Sequence, residues 1–202
     1  MRNCRIGRFL VFIKYEYLNI DKIIKGCKKG DIKSKEALVE LYAPMLMSVC
    51  ERYCKDKTIA KDALQETFIN IFKYIGTYSS KGSFEGWIRR IAVNCSYAFI
   101  NKIHTVYFIE EENVTFSQLE QIPDVYSDLA EQDLLKLINK LPLNQYLVFN
   151  MYVIEGFKHE EIAEILNIGT TTSRSNLSRA RSNLIRILQE STIVENKKFL
   201  NR

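Results

Sequence analysis

The stretch from Gly156 to Leu188 reads as two helices joined by a sharp turn, and no other segment restricts the fold of this chain as closely. Ile162, Ala163, Ile165 and Leu166 recur at helical spacing and form an apolar patch, while His159, Glu160, Glu161 and Glu164 are expected to face water. Asn167-Ile168-Gly169 interrupts the pattern. Asn and Gly tolerate the left-handed backbone that ends a helix, Ile168 can fill the gap between the two helices, and the hydroxyls of Thr170 to Thr172 can cap the next one. On that second helix Leu177, Leu184 and Leu188 share one face, with Ser173, Ala180 and Ile187 beside them, and Ser175, Ser178, Arg179, Ser182 and Arg186 project from the other. No acidic residue occurs between Ile165 and Gln189. Solvated charges on an amphipathic surface would explain the second helix alone. The preceding helix, the small Ala163 at the contact, the turn and the acid-free face together favour a helix-turn-helix reader of DNA. Small hydroxyl residues among arginines let such a helix approach base edges while guanidinium groups reach guanines or phosphates.

Glycine and proline are scarce, 8 and 3 among 202 residues, which favours an all-α protein over sheets with many turns. With 47% hydrophobic residues the chain can bury two small cores, and its net charge of +5 permits a polyanionic partner. The five cysteines, Cys4, Cys27, Cys50, Cys54 and Cys95, are odd in number and lie in helical apolar patterns. They read as reduced core residues of a cytoplasmic protein. Cys50 and Cys54 are one helical turn apart, but with His104 and His159 the only histidines and no second cysteine pair at zinc-finger spacing, no metal site is expected. Arg2, Arg5 and Arg8 precede the short apolar run Phe9 to Ile13, which is too brief for a signal-peptide core and is followed at once by Lys14. Residues 1–19 read as a basic arm without direct membrane insertion, or as sequence upstream of the native start.

Between His104 and Asp133 there is no Lys or Arg, yet Glu110, Glu111, Glu112, Glu120, Asp124, Asp128 and Glu131 crowd the segment, and its apolar residues show no helical period. An extended acidic linker over 104–127 is expected, a plain solvated connector being the simplest account. It separates two small helical domains at 20–103 and 128–190, the second a four-helix domain carrying the helix-turn-helix, with a tail at 191–202.

Four helices are expected in the first domain, at about 20–28, 34–54, 59–75 and 84–102. Their inward stripes are Leu38, Leu41, Met45, Val49 and Tyr53 on the second, Leu64, Phe68, Ile71 and Ile75 on the third, and Phe84, Ile88, Ile91 and Cys95 on the fourth. The opposite face of the third helix holds Asp62, Gln65, Glu66 and Ile69, with Phe72 at its edge. A lone exposed isoleucine usually means nothing, but among carboxylates it fits a docking surface for a basic partner helix. On the fourth helix a second stripe, Trp87, Arg90, Asn94, Tyr97 and Asn101, follows a Gly-bounded loop, expected to be flexible, that carries Tyr78. Rings stack on unpaired bases, Asn offers a donor and an acceptor, and Arg takes a phosphate; a core tryptophan beside surface polar residues is the blander account.

In order and separation, Asp62 to Phe68, Phe84 to Asn94, Glu160 to Leu166 and Leu177 to Arg181 resemble a bacterial sigma factor of the extracytoplasmic-function (ECF) group, over about residues 20–190. The resemblance implies a subunit that binds core RNA polymerase and directs it to promoters, with no catalytic residues, cofactor or metal of its own. It implies docking on the beta-prime clamp coiled coil by Asp62, Gln65, Glu66, Ile69 and Phe72, and contact of the second domain with the beta flap. Melting of the minus-ten element and capture of a flipped base would fall to Tyr74, Tyr78, Trp87, Arg90, Asn94 and Tyr97. Arg174, Ser175 and Ser178 would read the minus-thirty-five element while Arg179 and Arg181 grip phosphates, and the acidic connector would thread toward the polymerase active site and exit channel. An anti-sigma factor is a further partner class that the resemblance brings with it. The recognition helix departs from the family pattern of Gly-Thr-Val and a basic residue after the serine, having Thr171-Thr172-Ser173 before Arg174 and Asn176 in the basic position. The helix after Asn94 also lacks the arginine run of relatives, which weakens its expected grip on duplex DNA. The alternative is a helix-turn-helix regulator that binds DNA without polymerase. Motifs of catalysis are missing: there is no P-loop, and His159-Glu160-Glu161 lacks the second histidine of a zinc protease.

Overall fold

A computed structural model describes residues 20–54, 56–107 and 136–200, with side chains at 20–54, 56–102 and 136–189. The basic arm, Cys4 and the acidic run from 108 onward lie outside the described residues. Every element in the chain order is helical, and the chain divides into two compact units between Tyr107 and Phe108.

The first unit contains α1 (Ile20–Lys28), α2 (Ile32–Cys54), α3 (Lys57–Tyr74), a 3-10 turn (Ile75–Thr77) and α4 (Phe84–Tyr107). Helix α1 stops because Gly30 adopts a left-handed φ of 83°, allowing its N–H to reach Cys27 O and that of Asp31 to reach Gly26 O, each at 3.0 Å. Asp31 then caps α2 by accepting from the Ser34 N–H at 2.9 Å. At Gly26 a Cβ would lie 2.7 Å from Ser34 Cβ and overlap its hydroxyl, so the close α1–α2 approach requires glycine there. Asp56 caps α3, its Oδ1 accepting from Thr58 N–H at 2.8 Å and Ile59 N–H at 2.9 Å.

Helices α2, α3 and α4 pack on one another around Leu38, Leu46, Val49, Ile71, Ile88 and Val93. Two inward stripes are rotated from those expected. On α2, Tyr42 and Leu46 are buried and Leu41 and Met45 only half-buried; on α3, Ala60, Ala63 and Thr67 take the interior and Leu64 and Phe68 flank it. On α3 the periodicity of large residues misses this, because a helix packed against two others at once approaches them most closely through its small residues. Helix α4 continues to Tyr107, so residues 104–107 are helical where a linker was expected. Cys27, Cys50, Cys54 and Cys95 are free and buried. Burial pushes the Cys54 thiol up to about 12, which keeps it protonated and unreactive.

The second unit has a helical turn at 136–138, α5 (Leu143–Phe149) running into a π turn (Asn150–Ile154), α6 (His159–Leu166) and α7 (Thr170–Leu200). The π turn is closed by Glu155 N–H donating to Asn150 O at 3.0 Å. Buried Asn150 helps to stabilise it through Nδ2 donating to Tyr146 O at 2.8 Å. Leu147, Met151, Ile162, Leu177 and Ala180 form the core, and Asn183 Nδ2 joins α7 to α5 by donating to Gln145 Oε1 at 2.7 Å. Helix α7 carries on to Leu200, so 191–200, expected as a tail, extends it. Among the described residues no helix is long and apolar enough to cross a membrane.

Candidate polymerase and nucleic-acid interfaces

On α3 the packing of Ala60, Ala63 and Ile71 inward turns Asp62, Gln65 and Glu66 to solvent and leaves Ile69 59% exposed. Asn70 Nδ2 donates to Glu66 Oε1 at 2.9 Å, which orients that carboxylate along the face. Phe72 is half-buried, stacked on Phe68 with ring centres 6.2 Å apart. Lys35, which no sequence pattern marks, has its ammonium 5.6 Å from the Phe72 ring centre and covers it from α2.

The second surface is built by the loop entering α4. Ser83 caps that helix, its Oγ accepting from Gly86 N–H at 3.1 Å and its carbonyl from Trp87 N–H at 3.2 Å. The cap aims Trp87 and Arg90 back at the loop, and with Tyr78, Lys81 and Gly82 they line a pocket of about 410 Å³. The loop is more fixed than its glycines suggest. Tyr78 packs on Phe84 (5.2 Å between ring centres) and Trp87 (5.5 Å), and its hydroxyl donates to Gly82 O at 2.7 Å. Aromatic contacts and a closing hydrogen bond outweigh the backbone freedom of Gly76 and Gly82.

Tyr78, Trp87 and Arg90 therefore meet in one place, whereas Tyr74, Asn94 and Tyr97 are not among the pocket's lining residues. Tyr74 is 44% exposed at the end of α3, its ring 5.0 Å from Lys73 Nζ. Asn94 is exposed further along α4, and Tyr97 is half-buried, its phenol pushed up by that burial. Asn101 is exposed beyond them. Phe84, a residue read from the sequence only as core, is the ring on which Tyr78 and Trp87 are assembled.

In the second unit α6 begins with Glu161 accepting from the Lys158 N–H at 2.8 Å. It ends at Asn167, whose φ of 52° is left-handed, with Ile168 N–H bonded to Ala163 O at 3.0 Å. Helix α7 starts at Thr170, so the threonines form its first turn and do not precede it as a cap. His159 does not simply face water: it stacks on Tyr152 at 4.5 Å, and its Nδ1 lies 2.9 Å from the Oγ of fully buried Ser173. Burial, then the positive charge of Arg174, hold the His159 pKa below its ordinary value, so at neutral pH the ring is uncharged.

Arg174, Ser178, Arg179 and Arg181 are exposed on α7, while Ser175 is half-buried and donates to Thr172 O at 3.0 Å. Asn176 is buried, so its lack of charge, noted as a departure on the reading face, concerns packing. Arg174 lies 3.3 Å from Glu160 with both side chains more than half exposed (62% and 63%), a pairing that water screens and a base edge could replace at small cost.

Residues 38–104 match the family described as Sigma-70 region 2, and residues 131–184 match Sigma-70, region 4. The chain is 29% identical over 182 residues to the ECF RNA polymerase sigma factor SigW of Bacillus subtilis (85% of this chain, 97% of the relative). It is 27% identical over 177 residues to the ECF RNA polymerase sigma-E factor of Escherichia coli K12, covering 82% of this chain and 92% of that one. Its fold matches the sigma factor RpoE solved with the anti-sigma factor NepR from Bartonella quintana, with TM-score 0.52, 23% identity, and 78% and 98% of the two chains covered. It also matches CnrH solved with the cytosolic domain of CnrY, with TM-score 0.50, 17% identity, and 83% and 96% covered. Two successive regions of one kind of initiation factor thus fall on the two helical units described above. The chain belongs to the sigma-70 family, and within it to the ECF sigma factors. As such it directs promoter-specific initiation by RNA polymerase, and the reading as a regulator working without polymerase is not favoured.

Proposed function

We propose that this sigma factor divides its work among the three surfaces just described. The α3 face of Asp62, Gln65, Glu66, Ile69 and Phe72 docks on the clamp coiled coil of the beta-prime subunit, an isoleucine among carboxylates suiting a basic helix with an apolar stripe. The second unit engages the beta flap and, through Arg174, Ser175 and Ser178, reads the minus-thirty-five element, with Arg179 and Arg181 on phosphates. The loop and α4 open the minus-ten element: Tyr78, Trp87 and Arg90 bound the pocket for an extruded base, and Tyr74, Asn94 and Tyr97 lie along the path of the unpaired strand. The observation that carries this reading is the pocket itself, where two rings and a guanidinium converge on a space of about 410 Å³. Opening a duplex without ATP requires groups that gain more from unpaired bases than from paired ones, and stacking walls supply that difference. The chain performs no catalysis of its own and works in the cytoplasm with the polymerase. By analogy with the RpoE complex, an anti-sigma factor is a further partner class.

Run-off transcription with and without core polymerase, together with permanganate footprinting of promoter thymines, tests the reading. Tyr78→Ala should reduce opening by about one to two orders of magnitude, the worth of one base–aromatic stack, and Asn94→Ala, which removes a hydrogen-bonding amide, should reduce it too, while closed-complex binding stays near wild type in both. A template with a pre-melted minus-ten bubble should partly rescue both. Equal impairment of closed binding and opening, or intact permanganate reactivity, would remove the base-capture role.

A further inference from the structure

We propose that Lys28, the last residue of α1, is a positioning residue for promoter opening, fixing the base-capture loop from outside it; this rests on the base-capture reading above. Its Nζ donates to the main-chain carbonyl of Tyr78 at 2.7 Å and lies 5.9 Å from the Tyr78 ring centre, joining residues 50 apart in the sequence. The anchor is itself rigid. Lys28 precedes the turn in which Gly30 and Asp31 bond back to Cys27 and Gly26, and Asp31 starts α2, so the lysine springs from the joint between two packed helices.

Beside the aromatic packing of Tyr78, hydrogen bonds hold the loop at several points, and they differ in origin. At its exit Ser83 caps α4, and across its middle the Tyr78 hydroxyl donates to Gly82 O. At its entrance a hydrogen bond comes from α1, a helix that does not adjoin the loop, through Lys28 to Tyr78 O. Ser80, between the ends, has a left-handed φ of 60°, a conformation a serine keeps only where its surroundings hold it. Tyr78 O belongs to the backbone that carries the ring walling the pocket, so an ammonium on that carbonyl fixes the point from which the ring projects before a base arrives.

The consequence falls on opening and not on folding. Lys28 is exposed, so both partners regain water when the bond is lost, and the helical core does not feel it. The loop, in contrast, spreads over more conformers, and the apparent affinity for an unpaired base falls by the fraction that remains competent. Loss of one charge-assisted hydrogen bond at a solvated site corresponds to a change of about threefold to tenfold.

Full-length Lys28→Met and Lys28→Arg proteins, assembled with core polymerase, are compared on a duplex promoter by permanganate reactivity across a salt series, with Asn94→Ala as reference. Lys28→Met is expected to lower opening about threefold to tenfold, and Lys28→Arg, which keeps a charged donor, to restore most of it. Closed-complex affinity, thermal midpoint and the salt slope should stay at wild type. If Lys28→Met opens normally while Asn94→Ala does not, the positioning role is wrong and base capture stands; if neither variant is impaired, base capture itself fails. A salt slope reduced by about one in Lys28→Met would mean that the ammonium contacts a phosphate directly, and would also overturn the proposal.

Discussion

Truncating Ile69 to Ala separates docking from folding on α3. Its side chain is 59% exposed, whereas its neighbour Ile71, two residues on and facing inward, is fully buried. Burying a whole isoleucine side chain is worth about 1.5–3 kcal/mol, so the exposed part of Ile69 can yield roughly 1–2 kcal/mol when a partner covers it. Alanine keeps the first methyl, leaving an expected loss of about 1 kcal/mol, or roughly fivefold in the dissociation constant for core polymerase. Stability should change by less than about 0.5 kcal/mol, as at other exposed positions. The same truncation at Ile71 should instead destabilise the unit by about 2–5 kcal/mol. Fluorescence titration of labelled protein against core at two ionic strengths gives a second discriminator. The Ile69→Ala loss should be indifferent to salt because it is apolar. Combined reversal of Asp62 and Glu66 should weaken binding most at low salt and less as the Debye length shrinks. Wild-type affinity for a folded Ile69→Ala protein, or a loss at Ile69 that tracks salt, would refute docking through this face.

Arg174→Ala should cost about 1–3 kcal/mol on a matched upstream element and relax preference at one position, while Arg181→Ala should weaken all sequences alike and reduce the salt slope by about one; gel-mobility titration of holoenzyme on matched and mismatched promoters measures both, and equal losses for Arg174→Ala would contradict the assignment. Gly26→Ala gains about 1 kcal/mol of helix propensity but forces the α1–α2 contact apart at about 1–3 kcal/mol, so urea unfolding should show net destabilisation that Ser34→Gly reverses in the double variant. A Gly26→Ala protein as stable as wild type would show that this contact is slack. For His159 the folded pKa lies below the ordinary 6.5, so the unfolded chain takes up the proton first. The contribution is present at neutral pH and is lost as pH falls below about 6.5. His159→Gln should flatten that part of the stability profile in denaturant titrations at stepped pH, and an unchanged profile would exclude the burial of His159 as its source.

Much of the architecture was legible because the signals were local. Asn167 in a left-handed turn, the helical spacing on both sides of it and the buried Leu177 and Ala180 follow from φ preferences and period alone. So does the exposure of Asp62, Gln65 and Glu66. The π turn had no such signal, since Asn150 is polar in sequence yet fully buried; its bonds to Tyr146 and Glu155 are local, but only the packed unit removes the water that would compete with them. Lys28 and Lys35 were likewise invisible, each reaching a ring on an element that the chain brings near only after folding.

Nearest neighbours along the chain suffice for helices where apolar residues recur and breakers are absent, a turn where Asn167 and Gly169 stand, and an acid-free stretch of α7 from Thr170 to Leu188. Which of two adjacent stripes goes inward was decided by tertiary packing, since α3 meets α2 and α4 together and the small Ala60 and Ala63 allow the closest approach. Tertiary structure also selected from the α4 stripe the residues that share a pocket. Trp87 and Arg90 face the loop because Ser83 caps the helix at that point and Phe84 receives Tyr78, and contacts made across a folded loop leave no period for a sequence to show.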